Sequence, residues 1–503
     1  GEVFPPRKPV ALAPFEYRYH PPFRARALFR LSVLGDERGV SHDWVRRQRL
    51  QLDSLTVDPS HAFSKWWDRF HHDHPEYFAL QPDGTRSLSA FHVSPRERWP
   101  RLVKLCLSNP AVWDQWLADV EATLKKNPHQ TIFNASENDS FLRGICICEG
   151  CRAWDAPSAE KYHYTWKGAA EERDGLSDRY VRFWNTLAGK LEERYPGRGY
   201  RVQGMAYGYA REAPSREKCA GNVLVLSVAS TIVTKAETRQ KLLAQLREWG
   251  RQAPLVWRPN AWTRAGKWGL PEISIADQPE NFRVLAESHG VGVIVDTVWE
   301  HWATYAPQYY LMAQLAWNPY LDADAVMDDY YRRAFGPAEK PVRQYWAERE
   351  RRMDNPLVQP VGLTDPFLDR MEALLDDAAR KAADGPPVYR ERVAFIRDGL
   401  TFTRLMTACL DAQRLFVEEN LKTKKQTDPL TDPRVTAAWK KLEDWLETHP
   451  HVVNTRYVKS AAAAARITSP RTGRLYGEYI AHLRDSKADG DNATDLDLPA
   501  GDF

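Results

Sequence analysis

Residues 201–228 read RVQGMAYGYAREAPSREKCAGNVLVLSV, and this stretch decides the fold. It holds two short aliphatic runs, Arg201–Tyr207 and Asn222–Val228, each ending in small or aromatic residues before the chain turns polar. Working outward, comparable runs recur at Ala27–Leu34, Leu55–Val57, Leu102–Leu107, Gln130–Ala135, Pro254–Trp257 and Val291–Asp296. Longer amphipathic stretches separate several of them, which is the alternation of βα units around a parallel sheet. Counting all of these runs gives eight, the number that closes a barrel. Leu55–Val57 is the weakest and completes the set.

The intervening helices are legible from spacing. After Ser177 the residues Tyr180, Phe183, Trp184, Leu187 and Leu191 recur at helical intervals until Pro196. Asn109-Pro110 reads as a capping residue followed by proline at the first helical position, with Trp113, Trp116, Leu117, Val120 and Leu124 on one face. Beyond Asp322 strand signals stop, and 322–334, 341–353, 366–383, 388–420 and 433–447 read as helices. The expected fold is therefore α/β, a (β/α)₈ TIM barrel followed by an α-helical C-terminal domain. Its divisions are a lead-in at 1–25, the barrel at 26–320, the helical domain at 321–485 and a loose acidic tail at 486–503. Asp485, Asp489 and Gly490 resemble part of a calcium loop, but Lys487 and Leu496 stand where oxygen ligands are needed.

Bulk properties narrow the function. Lys and Arg number 70 against 67 Asp and Glu in 503 residues, a net charge of +3 without a long basic run, so nucleic acid is excluded as a partner. No apolar run approaches the roughly 20 residues of a membrane span. The first residue is Gly1 rather than methionine, which reads as a mature or trimmed product. Six cysteines fit either a reducing or an oxidising compartment, and 19 tryptophans offer flat apolar faces suited to sugar rings or to a large core.

In such a barrel the reactive groups sit just after the strands. The strand ends supply Glu137, Asn138 and Asp139; Tyr207; Trp257, Asn260 and Trp262; and Asp296, Trp299, Glu300 and Trp302. Glycosidic cleavage needs a proton donor and a second negative group, so paired carboxyl groups are the usual equipment. Asp139 is the candidate donor, with Glu137, Asp296 or Glu300 as the second carboxyl group. His61, Tyr207, Trp257, Asn260, Trp262, Trp299 and Trp302 are expected to bind sugar. Asn138 can orient a substrate acetamido group, although an Asx turn or helix cap explains Asn138 and Asp139 equally well.

Two clusters invite a metal reading. Cys146-x-Cys148-x-x-Cys151 lacks a following second pair, and Cys219 is remote in sequence. The choices are a three-cysteine site completed from elsewhere, a disulfide with one free thiol, or a packed loop, with a structural role preferred over a catalytic one. His71-His72-x-His74 lacks the spacing of a ligand helix and is interrupted by Pro75, so loop packing is preferred. No catalytic metal or other cofactor is expected.

Taken in order, His74-Pro75-Glu76-Tyr77-Phe78-Ala79-Leu80, Leu105-Cys106-Leu107-Ser108-Asn109-Pro110, Asn138-Asp139 with the cysteine motif, Met205-Ala206-Tyr207, Leu315-Ala316-Trp317-Asn318-Pro319 and Phe335-Gly336-Pro337 resemble a known set. It is that of the bacterial family catalogued as domain of unknown function 4838, similar to glycoside hydrolase family 163, and the resemblance covers roughly residues 55–350. The resemblance implies a secreted or periplasmic glycoside hydrolase acting on an oligosaccharide or polysaccharide. It further implies endo-β-N-acetylglucosaminidase activity, with Asp139 as general acid and Asn138 or Glu137 placing the acetamido group. Residues 295–300, VDTVWE, depart from the glycine-rich turn of many relatives, which leaves the substrate open. The alternatives are a uronic-acid-specific, α-glucuronidase-like enzyme, a barrel that binds carbohydrate without cleaving it, and a metal-dependent hydrolase.

Overall fold

The computed structural model of the chain describes residues 16, 18–28, 38–50, 55–86, 103–139, 144–166, 169–232, 236–260, 269–296, 298–353, 365–423, 432–455 and 458. In chain order, β1 (Ala25–Leu28) is followed by α1 (Arg38–Arg47), α2 (Trp66–Phe70), α3 (Pro110–Lys126) and β2 (Ile132–Asn134). Next come α4 (Glu149–Arg152), the hairpin strands β3 (Lys161–Trp166) and β4 (Ala169–Asp174), α5 (Ser177–Arg194), β5 (Arg201–Ala206) and β6 (Val223–Ser227). Then α6 (Ala236–Gln252), β7 (Leu255–Trp257), α7 (Gln278–Glu287) and β8 (Gly290–Val295) lead into α8 (Trp302–Trp317). The remaining helices are α9 (Ala323–Phe335), α10 (Glu339–Met353), α11 (Asp365–Ala382), α12 (Pro387–Thr423) and α13 (Pro433–Thr448). The tail and its calcium-like residues lie outside the described residues.

Six strands form one sheet in the order β1-β8-β7-β6-β5-β2, and every pairing in it is parallel. Side chains alternate across it as the pleat requires. Ala25, Leu55, Ile132, Met205, Leu224, Leu226, Val256 and Ile294 share one apolar cluster on the inner face. Val223, Val225, Leu255, Trp257, Val293 and Val295 face the helices instead. The two edge strands β1 and β2 contribute to the same inner cluster, so the sheet is curled.

Among the described residues six of the eight expected barrel strands are accounted for by this curled parallel sheet, and closure into a barrel is not shown. Leu55–Val57 forms no strand among the described residues, yet Leu55 and Val57 still enter the inner cluster. The Gln203 side chain holds the residue that follows: its Oε1 accepts from Asp58 N at 3.1 Å, and its Nε2 donates to Asp58 O at 2.6 Å. The run ending at Leu107 pairs elsewhere. Leu105 bridges Phe78 in antiparallel sense, Ala79 N donates to Lys104 O at 2.9 Å, and Cys106 N donates to Tyr77 O at 2.8 Å.

The helices cover the outer face as their spacing predicts. Tyr180, Phe183, Trp184, Leu187 and Leu191 of α5 are all buried. Asn109 caps α3 by accepting from Ala111 N at 3.0 Å, ahead of Pro110. Trp184 lies so close to β5 that a Cβ added at Gly204 would stand 2.3 Å from the indole. Replacing Gly204 by Ala is therefore expected to cost about 1–3 kcal/mol through overpacking. Urea titration reads this directly, and an unchanged midpoint would show that the indole yields freely.

α9 to α11 pack into the same core cluster as the sheet's outer face, which runs without a break from Phe23 to Leu400. A second cluster joins α12 and α13 through Phe402, Met406, Val435, Trp439 and Leu442, and it includes Ala303 of α8. Among the described residues no helix is long and apolar enough to cross a membrane.

Candidate active site at the strand ends

The β2 end builds the site. Ala135 N donates to Gln203 O at 2.8 Å, extending the ladder, and Ser136 N then donates to Asn134 Oδ1 at 2.8 Å, which turns the chain. Ala62 N donates to Ser136 O at 3.0 Å and Asn134 Nδ2 to Ser60 O at 2.9 Å, so the segment carrying His61 is docked against this turn. A carbonyl can only accept, so the contact of His61 Nδ1 with Glu137 O puts a proton on Nδ1. In the neutral ring Nε2 is then an acceptor. It stands 4.0 Å from Asp139 Oδ2, with the His61 side chain 24% exposed and that of Asp139 51% exposed. Burial holds the His61 pKa below its ordinary value, against the pull of Asp139. The Tyr207 ring lies 6.4 Å from the imidazole.

Glu137 turns inward from the same segment. Its Oε2 accepts from the Tyr180 hydroxyl at 3.2 Å and its Oε1 from Asn138 N at 3.0 Å. Burial raises its pKa, opposed by the charge of Lys104. Lys104 is buried, donates to Asn138 O, and lies 5.2 Å over the Tyr209 ring. Desolvation pulls its ammonium down to about 8, while Glu137 and Asp139 favour the charge.

Asn138 corrects an expectation. Its amide nitrogen donates to Val103 O at 2.7 Å and Phe63 O at 3.3 Å, and the residue is buried. The side chain braces two backbone segments and does not present itself to a substrate acetamido group.

The β7 and β8 ends meet through Asn260, which bridges Asp296 in parallel sense. Arg258 pairs with Asp296 and donates to Asn260 Oδ1 at 2.8 Å; the Arg258 and Asp296 side chains are 12% and 4% exposed. Asp296 is thus a counter-ion rather than an open acid. The Arg258 charge also reaches His61 and disfavours its protonation, so the two sides of the mouth converge.

The tryptophans depart from expectation. Trp257 is fully buried, donates to Ala229 O at 2.7 Å and packs edge-on against Phe282 of α7. Trp299 is buried, and its carbonyl accepts from Tyr309 at 2.6 Å. Trp302 sits edge-on to Trp44 and Tyr309. Glu300 is buried near Tyr309. Trp262 lies outside the described residues. The structure therefore gathers His61, Glu137, Asp139, Tyr207, Asn260 and Asp296, while Trp257 is core and Trp302 is partly buried against it.

Lys104, Tyr180, Tyr209 and Arg258 were not singled out from the sequence. Lys104 had a signal, a lone cation inside the apolar run 102–107, and Arg258 had another, its place directly after β7. The histidines of 71–74 pack as expected: His71 stacks on Trp67 and His74 on Tyr77. The cysteine motif does find a fourth partner, Cys106, and the four sulfurs lie within 4.8 Å of one another. A cavity of about 320 Å³ lies away from the mouth, between the start of α5, residues 212–215 and the end of α6. Of its three carboxylates, Asp178, Glu212 and Glu248, the first accepts from the backbone N–H groups of Ser215, Arg216 and Glu217 and serves to fold that loop.

Sheet and mouth together define an α/β protein in which a histidine, acidic groups, a buried lysine and a partly buried arginine gather around the carboxyl ends of parallel strands. The chain belongs to the family described as Domain of unknown function (DUF4838), whose model matches residues 1–347. No curated protein matches it. Among solved structures it is similar to a family 89 glycoside hydrolase from Clostridium perfringens in complex with 2-acetamido-1,2-dideoxynojirmycin. That match has 11% identity and a TM-score of 0.32 over 53% of this chain and 31% of that one. A mutant O-GlcNAc hydrolase from Thermobaculum terrenum shares 12% identity at a TM-score of 0.38, over 95% of this chain and 99% of that one. A GH138 enzyme targeting pectin rhamnogalacturonan II shares 9% identity at a TM-score of 0.29, over 95% and 68%. The chain spans under a third of the length of the first of these.

Proposed function

We propose that the chain is a glycoside hydrolase in which Asp139 protonates the leaving glycosidic oxygen. One observation carries this reading. Asp139 is half exposed and, among the described residues, has His61 at 4.0 Å as its ionic partner, whereas Asp296 is spent on Arg258 and Glu137 on Tyr180. A carboxyl group open to ligand and set beside a fixed imidazole is equipped for proton transfer. With the other acids engaged, the arrangement favours substrates that bring their own nucleophile, an acetamido group, over those needing an enzyme carboxylate. The mouth and the family resemblance together support a glycan or polysaccharide as the substrate class. Incubation with N-acetylated glycans, uronic-acid glycans and aryl glycosides, followed by product analysis, tests it; absence of turnover on every class would overturn it.

His61 gives this reading a pH signature. The groups facing the imidazole are Asp139, the Glu137 carbonyl, Lys104 and Arg258. Neutral, its Nε2 can accept from a substrate hydroxyl. Protonated, it no longer offers that acceptor. Because burial lowers the His61 pKa from 6.5, kcat/KM is expected to hold as pH falls to 6.5 and to drop only below it. Stability carries the same sign: the unfolded chain takes up the proton first, so the His61 contribution is lost as pH falls below 6.5 through the folded value. His61→Gln is expected to move this acid limb. A profile identical in the variant would show that another group sets it.

A further inference from the structure

We propose that Cys106, Cys146, Cys148 and Cys151 bind one zinc ion as a tetrathiolate that staples the segment ending at Leu107 to the loop beneath the mouth. All four are free thiols, and their sulfurs lie within 4.8 Å of one another. Cys106 Sγ stands 3.6 Å from Cys148 Sγ and 4.0 Å from Cys151 Sγ. A tetrahedron with metal–sulfur bonds of about 2.3 Å has sulfur–sulfur edges of about 3.8 Å. The spacing is that of a single ion. A polynuclear iron–sulfur cluster puts several ångströms more between its outer thiolates, and a disulfide bond, about 2.05 Å long, is much shorter than the distances found.

The surroundings suit thiolates rather than thiols. Leu80 N donates to Cys146 Sγ at 3.3 Å and Cys151 N to Cys148 Sγ at 3.4 Å, so backbone donors point at two of the sulfurs. The Ser108 hydroxyl lies 3.2 Å from Cys151 Sγ. A Cβ at Gly150 would come within 2.8 Å of that hydroxyl, so the turn between Cys148 and Cys151 needs a residue without a side chain. Two guanidinium groups stand close: Arg179 donates to Cys146 O at 2.8 Å, and Arg86 donates to the carbonyl of Phe78, the residue bridged to Leu105 next to Cys106. Loading releases the four thiol protons to solvent and leaves a site of net charge −2, which these cations offset. Four sulfurs and no open position make the site structural. Its mechanical effect reaches the mouth, because Lys104, two residues before Cys106, holds the Asn138 carbonyl next to Asp139.

The test uses the full chain purified under reducing conditions without chelator. Elemental analysis is expected to find about one zinc per chain, and X-ray absorption to show four sulfur neighbours at about 2.3 Å. Cobalt exchanged into the unaltered protein should give the intense bands of a tetrahedral thiolate site. Cys106→Ser and Cys148→Ser are expected to lose the zinc, and Cys219→Ser to keep it. Zinc removal should lower the melting temperature of the unaltered chain. Metal-free protein that takes up neither zinc nor cobalt, cysteines recovered as disulfides, an iron chromophore, or full zinc retention in Cys106→Ser would each overturn the proposal.

Discussion

Asp139→Asn is expected to lower kcat by about 10²–10⁴-fold on substrates whose leaving group is another sugar. A sugar alkoxide leaves poorly unless it receives a proton as the bond breaks, and the amide has none to give. An aryl glycoside with an acidic phenol needs little help, so the loss on such a substrate should be much smaller. That contrast separates a proton donor from a group that merely binds. The variant should fold normally, because the side chain is 51% exposed and its ionic neighbour stands at 4.0 Å. Equal losses on both substrate types would assign Asp139 to binding, and unchanged kinetics on both would remove it from the reaction.

The largest effect on stability is expected from Arg179→Met. Arg179 is buried and grips Asp155 with two parallel bonds, Nε to Oδ1 and Nη2 to Oδ2, each 2.7 Å. Its third donor reaches Cys146 O at 2.8 Å. Deleting one partner of a buried, hydrogen-bonded pair costs about 3–5 kcal/mol, because the remaining charge keeps its desolvation penalty. Arg173 also reaches Asp155, at 3.2 Å, which places the expected loss toward the lower end of that range. Denaturant unfolding measures it, and a change under about 1 kcal/mol would mean that Arg173 and solvent replace the pair in full.

Much of this architecture is written in local pattern. The aliphatic runs at 201–207, 222–228, 254–257 and 291–296 became β5 to β8 because continuous apolar character reports a strand covered on both faces. The α5 stripe was legible for the equivalent helical reason. Leu55–Val57 and Leu102–Leu107 were not legible as pairings, since their partners are a side chain of β5 and a segment near Phe78, both distant in sequence. The hairpin of β3 and β4 was missed because its sequence lacks an aliphatic run. At the site, the strand-end rule led to His61, Glu137, Asp139 and Asp296. Trp257 failed through parity: Val256 points inward, so its neighbours on the strand must point to the helices. Cys106 escaped notice because the fourth thiol precedes the motif by forty residues, counting from Cys106 to Cys146, and sits within an apolar run.

The segment before His61 is held to β5 by a rivet rather than a weld. β5 already carries β2 and β6 on its two sides, so Gln203 reaches Asp58 with its side-chain amide alone, through bonds of 3.1 and 2.6 Å. Parting that seam costs about 1–3 kcal/mol, the net worth of two hydrogen bonds, and leaves the six-stranded ladder whole. The segment bearing His61 stays fastened to β2 through Asn134 and Ser136. His61 is therefore fixed from two directions, and the place of its imidazole does not depend on either fastening alone.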